Sequence, residues 1–215
     1  MTKLTTSLAR VLSALFHPLL MPTLLFGILL FQVPGVIGLD AFSERARLSL
    51  LLLIAIGTFG VPALLIYYLY RQGLLSSLHM DDRSERRLPY LITGLIYTFL
   101  TFLFAFRMQL VSETAPEVAI ILGSITVSIL LVGLISLFWK ISAHSVGIGG
   151  SLGALLGIML KFSATDLFLS LVALTILAGL VASARLHLNA HTPAQIGTGL
   201  ALGLTVSLVT VVWLV

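Results

Sequence analysis

The chain has 215 residues, of which 59% are hydrophobic and only 9% are charged, with a formal net charge of +4. A water-soluble domain carries about 25% charged residues, because polar side chains must cover its surface, so this composition excludes a soluble globular protein. The sequence has no cysteine, which excludes disulfides and thiolate metal sites.

Seven apolar segments follow each other along the chain, and most are long enough to cross about 30 Å of hydrocarbon as helices. They are residues 17–37, 48–70, 90–106, 117–139, 146–161, 166–184 and 194–215. The fifth segment is short for a full crossing, and residues 2–14 are expected to form an interfacial amphipathic helix. We predict an all-α integral membrane protein, a bundle of six to seven transmembrane helices in a single domain over residues 1–215.

The basic residues divide unequally between the two sides of a seven-span bundle. The first side carries Lys3, Arg10, Arg71, Arg83, Arg86, Arg87, Lys140 and Arg185. The second side carries Arg45, Arg47, Arg107 and Lys161. The positive-inside rule places the first side in the cytoplasm. We expect a protein of the bacterial inner (cytoplasmic) membrane whose positive charges face membrane lipids and phosphate groups, with no nucleic acid as partner.

The first of three polar loops on that side contains three arginines within five residues, Arg83, Arg86 and Arg87. Their planar guanidinium groups can bind phosphate oxygens through paired hydrogen bonds. The alternative is a solvated loop in which basic and acidic side chains pair with each other.

The second loop joins a long apolar helix to a glycine-rich one and contains Lys140, Ser142 and His144. Serine hydroxyls and main-chain N–H groups at a helix start can form an anion site. His144 can donate a proton to a leaving oxygen. The alternative for the serines is an ordinary N-cap, formed by Ser142 or Ser145.

The third loop contains Arg185 and His191 and leads into a helix that begins with Thr192 as N-cap and Pro193 in the first turn. His191 is then expected at the positive end of the helix dipole. Gln195 lies four residues further on, which places it on the same helical face as His191. The alternative is that the histidines of this loop are interfacial residues without a chemical role.

Glycines recur at a spacing of four residues in the last part of the chain. Gly149, Gly153 and Gly157 form one series, and Gly199 and Gly203 form another. Small residues at this spacing let two helices approach closely inside a membrane. We interpret them as a packing stripe, since no strand precedes them as a nucleotide-binding loop requires.

The second and third loops together resemble two of the three motifs of the type 2 phosphatidic-acid phosphatase superfamily. Ser142 and His144 match the serine and histidine of the motif proline-serine-glycine-histidine. Arg185, five residues and then His191 match the third motif, with Gln195 where that motif has an aspartate. The resemblance divides the chain into divergent N-terminal helices over 1–115 and phosphatase-like core helices over 116–215.

The chain departs from the family pattern at three places. Of the first motif, a lysine followed by an arginine-proline pair, only Lys140 is found before the second motif, and the arginines of the first loop can supply the missing cations. Ala184 replaces a phosphate-binding serine, and Gln195 replaces the carboxylate that orients the nucleophilic histidine. Losing such a carboxylate can cost orders of magnitude in rate.

The resemblance implies a membrane lipid phosphatase that needs no metal or other cofactor. His191 attacks phosphorus and forms a phosphohistidine, His144 protonates the leaving oxygen, and Gln195 holds the His191 ring. Phosphate-binding residues are then Arg185, Ser142, Lys140, Arg83, Arg86 and Arg87. Substrates that fit are phosphatidate, phosphatidylglycerol phosphate and polyprenyl diphosphate.

Two other functions remain open from the sequence. The first is a catalytically weak or inactive relative that binds or moves lipid phosphates, which Gln195 and the missing first motif favour. The second is an intramembrane serine protease that uses Ser151, which lies between glycines, together with His191.

Overall fold

The computed structural model describes residues 3–78 and 84–215. Throughout these residues the regular secondary structure is helical, which confirms the predicted all-α fold. The α-helices are α1 (Lys3–Leu15), α2 (Met21–Gln32), α3 (Glu44–Ala55), α4 (Val61–Arg71), α5 (Arg87–Phe102), α6 (Gln109–Thr114), α7 (Pro116–Ser136), α8 (Ala143–Phe162), α9 (Phe168–His187) and α10 (Pro193–Leu214).

Seven helical stretches of the described residues have the length and composition of membrane spans. They are Lys3–Gln32, Glu44–Arg71, Arg87–Arg107, Pro116–Ser136, Ala143–Phe162, Thr165–His187 and Pro193–Leu214. Large apolar side chains are exposed along these helices, as expected where lipid is the solvent. The protein is therefore an integral membrane bundle, in agreement with the prediction from composition.

The fifth span, expected to be short, is a full-length helix. It covers Ala143–Phe162, or about 30 Å at the rise of an α-helix, and it is the most buried of the seven spans. Its glycines do not interrupt it, because the neighbouring helix α10 packs directly against them. The expectation of a short fifth crossing was wrong for this reason.

The glycine stripe is the contact surface between α8 and α10. A β-carbon at Gly149 would lie 2.5 Å from the carbonyl oxygen of Leu200. One at Gly153 would lie 2.9 Å from the α-carbon of Leu204. The two backbones thus approach so closely that only glycine fits, which confirms the packing interpretation.

The first predicted span, residues 17–37, is interrupted at both ends. Residues before the α2 helix form a 3₁₀ turn, Pro18–Leu20, and α2 ends at Gln32, before Pro34. The residue before a proline is disfavoured in helical conformation, which explains the extended backbone of His17 before Pro18 and the end of α2 before Pro34. The expected amphipathic helix before this span is present as α1, and one of its faces packs against α9.

The second span contains a π-helical segment, Ile56–Gly60, between α3 and α4. Pro62 has no N–H group and so cannot donate a hydrogen bond to the Thr58 carbonyl, four residues earlier. The hydroxyl of Tyr97 on α5 donates to this carbonyl at 2.8 Å instead. Tyr97 of the third span thereby bonds to the second span at the irregularity that Pro62 causes.

Candidate active site

A cavity of about 970 Å³ opens inside the bundle and is lined by residues of α1, α2, α4, α5, α7, α8, α9 and α10. One end is polar and is formed by Arg10, His17, Arg86, Lys140, His144, Arg185, Asn189 and His191. The other end lies deeper along the helices and includes Leu25, Tyr97, Ile125, Ile129, Val132 and the serines Ser128, Ser151 and Ser207. The cavity therefore has a cationic head region and a largely apolar inner region.

The three polar loops of the sequence meet at this head region. Arg86 comes from the first loop, Lys140 and His144 from the second, and Arg185 and His191 from the third. Helix α5 begins, α7 ends, and α8 and α10 begin at this same end of the bundle, so the chain brings these side chains together.

Three of the predicted site residues do not line the cavity, and a fourth cannot be placed. Arg83 is outside the described residues. Arg87 is exposed and does not line the cavity, although its neighbour Arg86 does and is only 8% exposed. Ser142 is fully buried and does not line the cavity. Gln195 contacts His191 but is not itself part of the lining.

Ser142 acts as the N-cap of α8. Its hydroxyl accepts hydrogen bonds from the main-chain N–H of Ser145 at 3.3 Å and from the Ser145 hydroxyl at 2.9 Å. The capping alternative is therefore confirmed for this serine, and its position gives no support to a direct phosphate contact.

The hydrogen bonds of Gln195 determine the tautomer of His191. The side-chain oxygen of Gln195 accepts a hydrogen bond from the Thr192 main-chain N–H at 3.2 Å, within a capping box. The same oxygen lies 3.1 Å from Nδ1 of His191. Because this oxygen can only accept, Nδ1 must carry the proton, and Nε2 of the neutral ring keeps its lone pair.

His191 is neutral across the physiological pH range. Burial, together with the smaller effect of the cations Arg185, Arg86 and Lys140, lowers the pKa of His191 to about 4. The hydrogen bond to Gln195 raises the pKa of His191, but by less than burial lowers it. A neutral imidazole with a fixed Nδ1 proton and a free Nε2 lone pair is the form required of a nucleophile.

His144 is held by the end of α1. Its Nε2 atom lies 3.0 Å from the main-chain oxygen of Ser13, which is an acceptor only, so Nε2 carries the proton. The neutral ring then has its lone pair at Nδ1. His144 can accept a proton there at once, but it can donate one only after Nδ1 has been protonated.

The cavity contains residues that the sequence analysis did not select. Arg10 and His17 enter from the N-terminal segment, and Tyr90 and Asn189 complete the polar lining. A signal for His17 was present in the sequence, since an ionisable residue inside a predicted span usually has a partner or a role. Arg10 gave no such signal, because it lies in a segment interpreted as interfacial.

The residues proposed for a serine protease do not form a catalytic pair in the described contacts. Ser151 lines the cavity, but its hydroxyl donates to the Gly147 carbonyl of its own helix at 3.2 Å. Gly147 and Ser151 are one turn apart, so this is the ordinary bond of a helical serine.

The described residues contain no group of three or more His, Asp or Glu side chains arranged to hold a metal ion. Fold and site together define an all-α membrane protein with a histidine-containing, cationic cavity. Comparison with family models, curated proteins and solved structures gives no match to this chain.

Proposed function

We propose that this protein is a membrane lipid phosphatase that hydrolyses a phosphate monoester or diphosphate through a phosphohistidine on His191. In this proposal it is a divergent member of the type 2 phosphatidic-acid phosphatase superfamily in a bacterial inner membrane. The observation that carries the proposal is the contact between Gln195 and Nδ1 of His191, beside three cations at the head of an amphipathic cavity.

In the first step, Nε2 of His191 attacks phosphorus and the bond from phosphorus to the leaving oxygen breaks. Nδ1 of His144 takes a proton from the bound, singly protonated phosphate group and passes it to the leaving oxygen, which returns the ring to the neutral tautomer that its contact with Ser13 favours. Arg86, Lys140 and Arg185 stabilise the charge on the transferring group, so the chemistry requires no metal.

In the second step, water attacks the phosphohistidine and transfers its proton to Nδ1 of His144. The bond from phosphorus to Nε2 of His191 breaks, the departing phosphate takes the proton from Nδ1 of His144, and both histidines return to their neutral starting states. The same hydrogen bond to Gln195 holds the His191 ring in both steps.

The inner region of the cavity supports a lipid rather than a soluble phosphate ester as substrate. Arg86 lies at the head, and Tyr97, also in the lining, follows 11 positions later along the chain. At the rise of an α-helix this distance is about 16 Å, or roughly half the hydrocarbon thickness of a bilayer. A substrate with its phosphate at the cations can therefore place an apolar tail inside the bundle.

The second candidate is a catalytically weak or inactive relative that binds or moves lipid phosphates. Gln195 favours it, because a neutral amide orients the His191 ring but does not stabilise the imidazolium as a carboxylate does. The cationic head and apolar inner region suit a binder as well as an enzyme.

Phosphate release by the purified protein from phosphatidate, phosphatidylglycerol phosphate and polyprenyl diphosphate tests the proposal. We expect release from at least one of them and an acid-labile, base-stable phosphoprotein when the reaction is quenched rapidly. His191→Ala should abolish both signals. The matched control is His187→Ala, a nearby histidine that does not line the cavity. Binding of these lipids without release would support the second candidate.

A further inference from the structure

The N-terminal helix contributes its C-terminal end to the candidate active site. Ser13 is near the end of α1, where the last four carbonyls of a helix have no partner within the helix. Its carbonyl accepts the hydrogen bond from Nε2 of His144, which lies 131 positions later. This contact joins the end of α1 to the candidate active site and places the proton of the neutral His144 ring on Nε2.

His17, two residues after α1, forms a second contact with His144. The two rings lie edge to face, with their centroids 5.7 Å apart and an angle of 76° between their planes. His17 is itself fixed, because its Nδ1 accepts the main-chain N–H of Leu19 at 3.3 Å and caps the turn that begins at Pro18. The ring of His17 is therefore held in one orientation beside His144.

We propose that His17 is a positioning residue for His144, an inference that rests on the proposed phosphatase function. The single hydrogen bond to Ser13 fixes the tautomer of His144 but leaves its ring able to tilt about the axis of that bond. The edge-to-face contact with His17 removes this freedom. His17 therefore controls whether Nδ1 of His144 points at the leaving oxygen of the substrate.

Three substitutions at position 17 separate the ring contact from the capping role. His17→Asn keeps a side-chain oxygen that can cap the Leu19 N–H but removes the ring. His17→Phe keeps a ring but removes the cap, and His17→Ala removes both. Thr6→Ala is the matched control, because it removes another polar contact of α1, to Nε2 of His187 at 3.2 Å, away from His144.

Two kinetic measurements test positioning in detergent-solubilised protein. For a lipid phosphate, whose alkoxide leaving group needs a proton, kcat/KM of His17→Asn should fall by at least about tenfold. For p-nitrophenyl phosphate, whose leaving group needs no proton, kcat/KM of the same variant should fall by less than about threefold. His17→Phe should have a higher kcat/KM than His17→Asn but a lower thermal stability. The kcat/KM of Thr6→Ala should stay within about twofold of the wild-type value. Equal losses on both substrates, or no loss in His17→Asn, would overturn the inference.

A spectroscopic measurement keeps this inference separate from the proposed function. Nitrogen-15 NMR of histidine-labelled protein, with His144→Gln used for assignment, should give a single Nε2–H tautomer for His144 in the wild type. In His17→Asn this tautomer should persist, because Ser13 fixes it, but the ring resonances of His144 should shift and broaden as the ring tilts. An unchanged His144 signal in that variant refutes positioning by His17, whereas a wild type that releases no phosphate from any substrate refutes the phosphatase proposal instead.

Discussion

The side-chain oxygen of Gln195 lies 3.1 Å from Nδ1 of His191 while it also accepts the main-chain N–H of Thr192. One amide oxygen thus completes the capping box of α10 and orients the ring of the candidate nucleophile. The start of the helix and the chemistry of the site are therefore coupled through one side chain, which makes position 195 the most informative one to change.

Gln195→Glu should change the pH dependence of the reaction. Glutamate fits the capping box and keeps an acceptor at Nδ1 of His191, but its charge favours the imidazolium and should raise the pKa of His191 by about 1–3 units. In the wild type, activity should be lost only as pH falls through about 4, where His191 becomes protonated. In the variant this acid limb of kcat/KM should move to higher pH, and turnover at neutral pH should increase.

Gln195→Leu is the control for this prediction, because it removes the acceptor without adding charge, and it should lower kcat by about 10–100-fold. If the protein is a binder, Gln195→Glu and the shorter Gln195→Asp should instead weaken binding of a lipid phosphate, measured in nanodiscs, because they add negative charge to an anion site. Turnover, pH profile and affinity that all stay unchanged would place Gln195 outside the chemistry.

Two adjacent arginines form a natural comparison for phosphate binding. Arg86 is buried and lines the cavity, whereas Arg87 is exposed and does not. Arg86→Ala should reduce kcat/KM by about 10²–10³-fold, since a charged donor near the transferring phosphate stabilises the transition state. Arg87→Ala should change it by less than about threefold. Equal effects of the two substitutions would contradict the cavity as the phosphate site.

Gly153 is expected to be essential for packing. Gly153→Ala places a methyl group 2.9 Å from the α-carbon of Leu204, and the helices must separate at a cost of about 1–3 kcal/mol, with more for Gly153→Leu. Gly179→Ala is the matched control on α9, because a β-carbon there has nothing within 4 Å. Thermal unfolding in detergent should show a lower midpoint for the first variant only. Equal midpoints would count against the close crossing of α8 and α10.

The hydrogen bond from Tyr97 to the Thr58 carbonyl should stabilise the bundle by about 0.6–1.7 kcal/mol, the range for polar contacts between membrane helices. Tyr97→Phe removes the donor, and thermal unfolding measures the loss. Pro62→Ala supplies a main-chain N–H that can bond the same carbonyl, so Tyr97→Phe should cost less in that background. Strict additivity of the two substitutions would show that they do not share this carbonyl.

Local patterns in the sequence were enough to predict the helical class and several details of the site. Apolar runs predicted the spans, because a membrane allows few backbone solutions besides helices. Thr192 and Pro193 predicted the start of α10, and the spacing of His191 and Gln195 predicted a shared face. These predictions succeeded because capping and helical spacing depend on residues within one turn of each other.

Contacts between distant segments could not be predicted in this way. From the sequence, Arg86 and Arg87 were both expected to bind phosphate. Only the packing of α5 shows that Arg86 lines the cavity and that Arg87 does not. The fifth span was expected to be short because its apolar segment is short, and the sequence alone did not show that α10 packs against its glycines. The N-terminal helix was expected to be interfacial, and its contact with His144 was not predicted.

The sequence by itself determined that lipid is the solvent of this protein, that its helices begin and end at particular caps, and that its basic residues and histidines concentrate at one end. The tertiary structure alone decided how His144 is held at that end. The Ser13 carbonyl and the ring of His17 reach His144 across more than 120 positions of the chain. Such contacts depend on how α1 packs against the bundle, and no local pattern of residues encodes that packing.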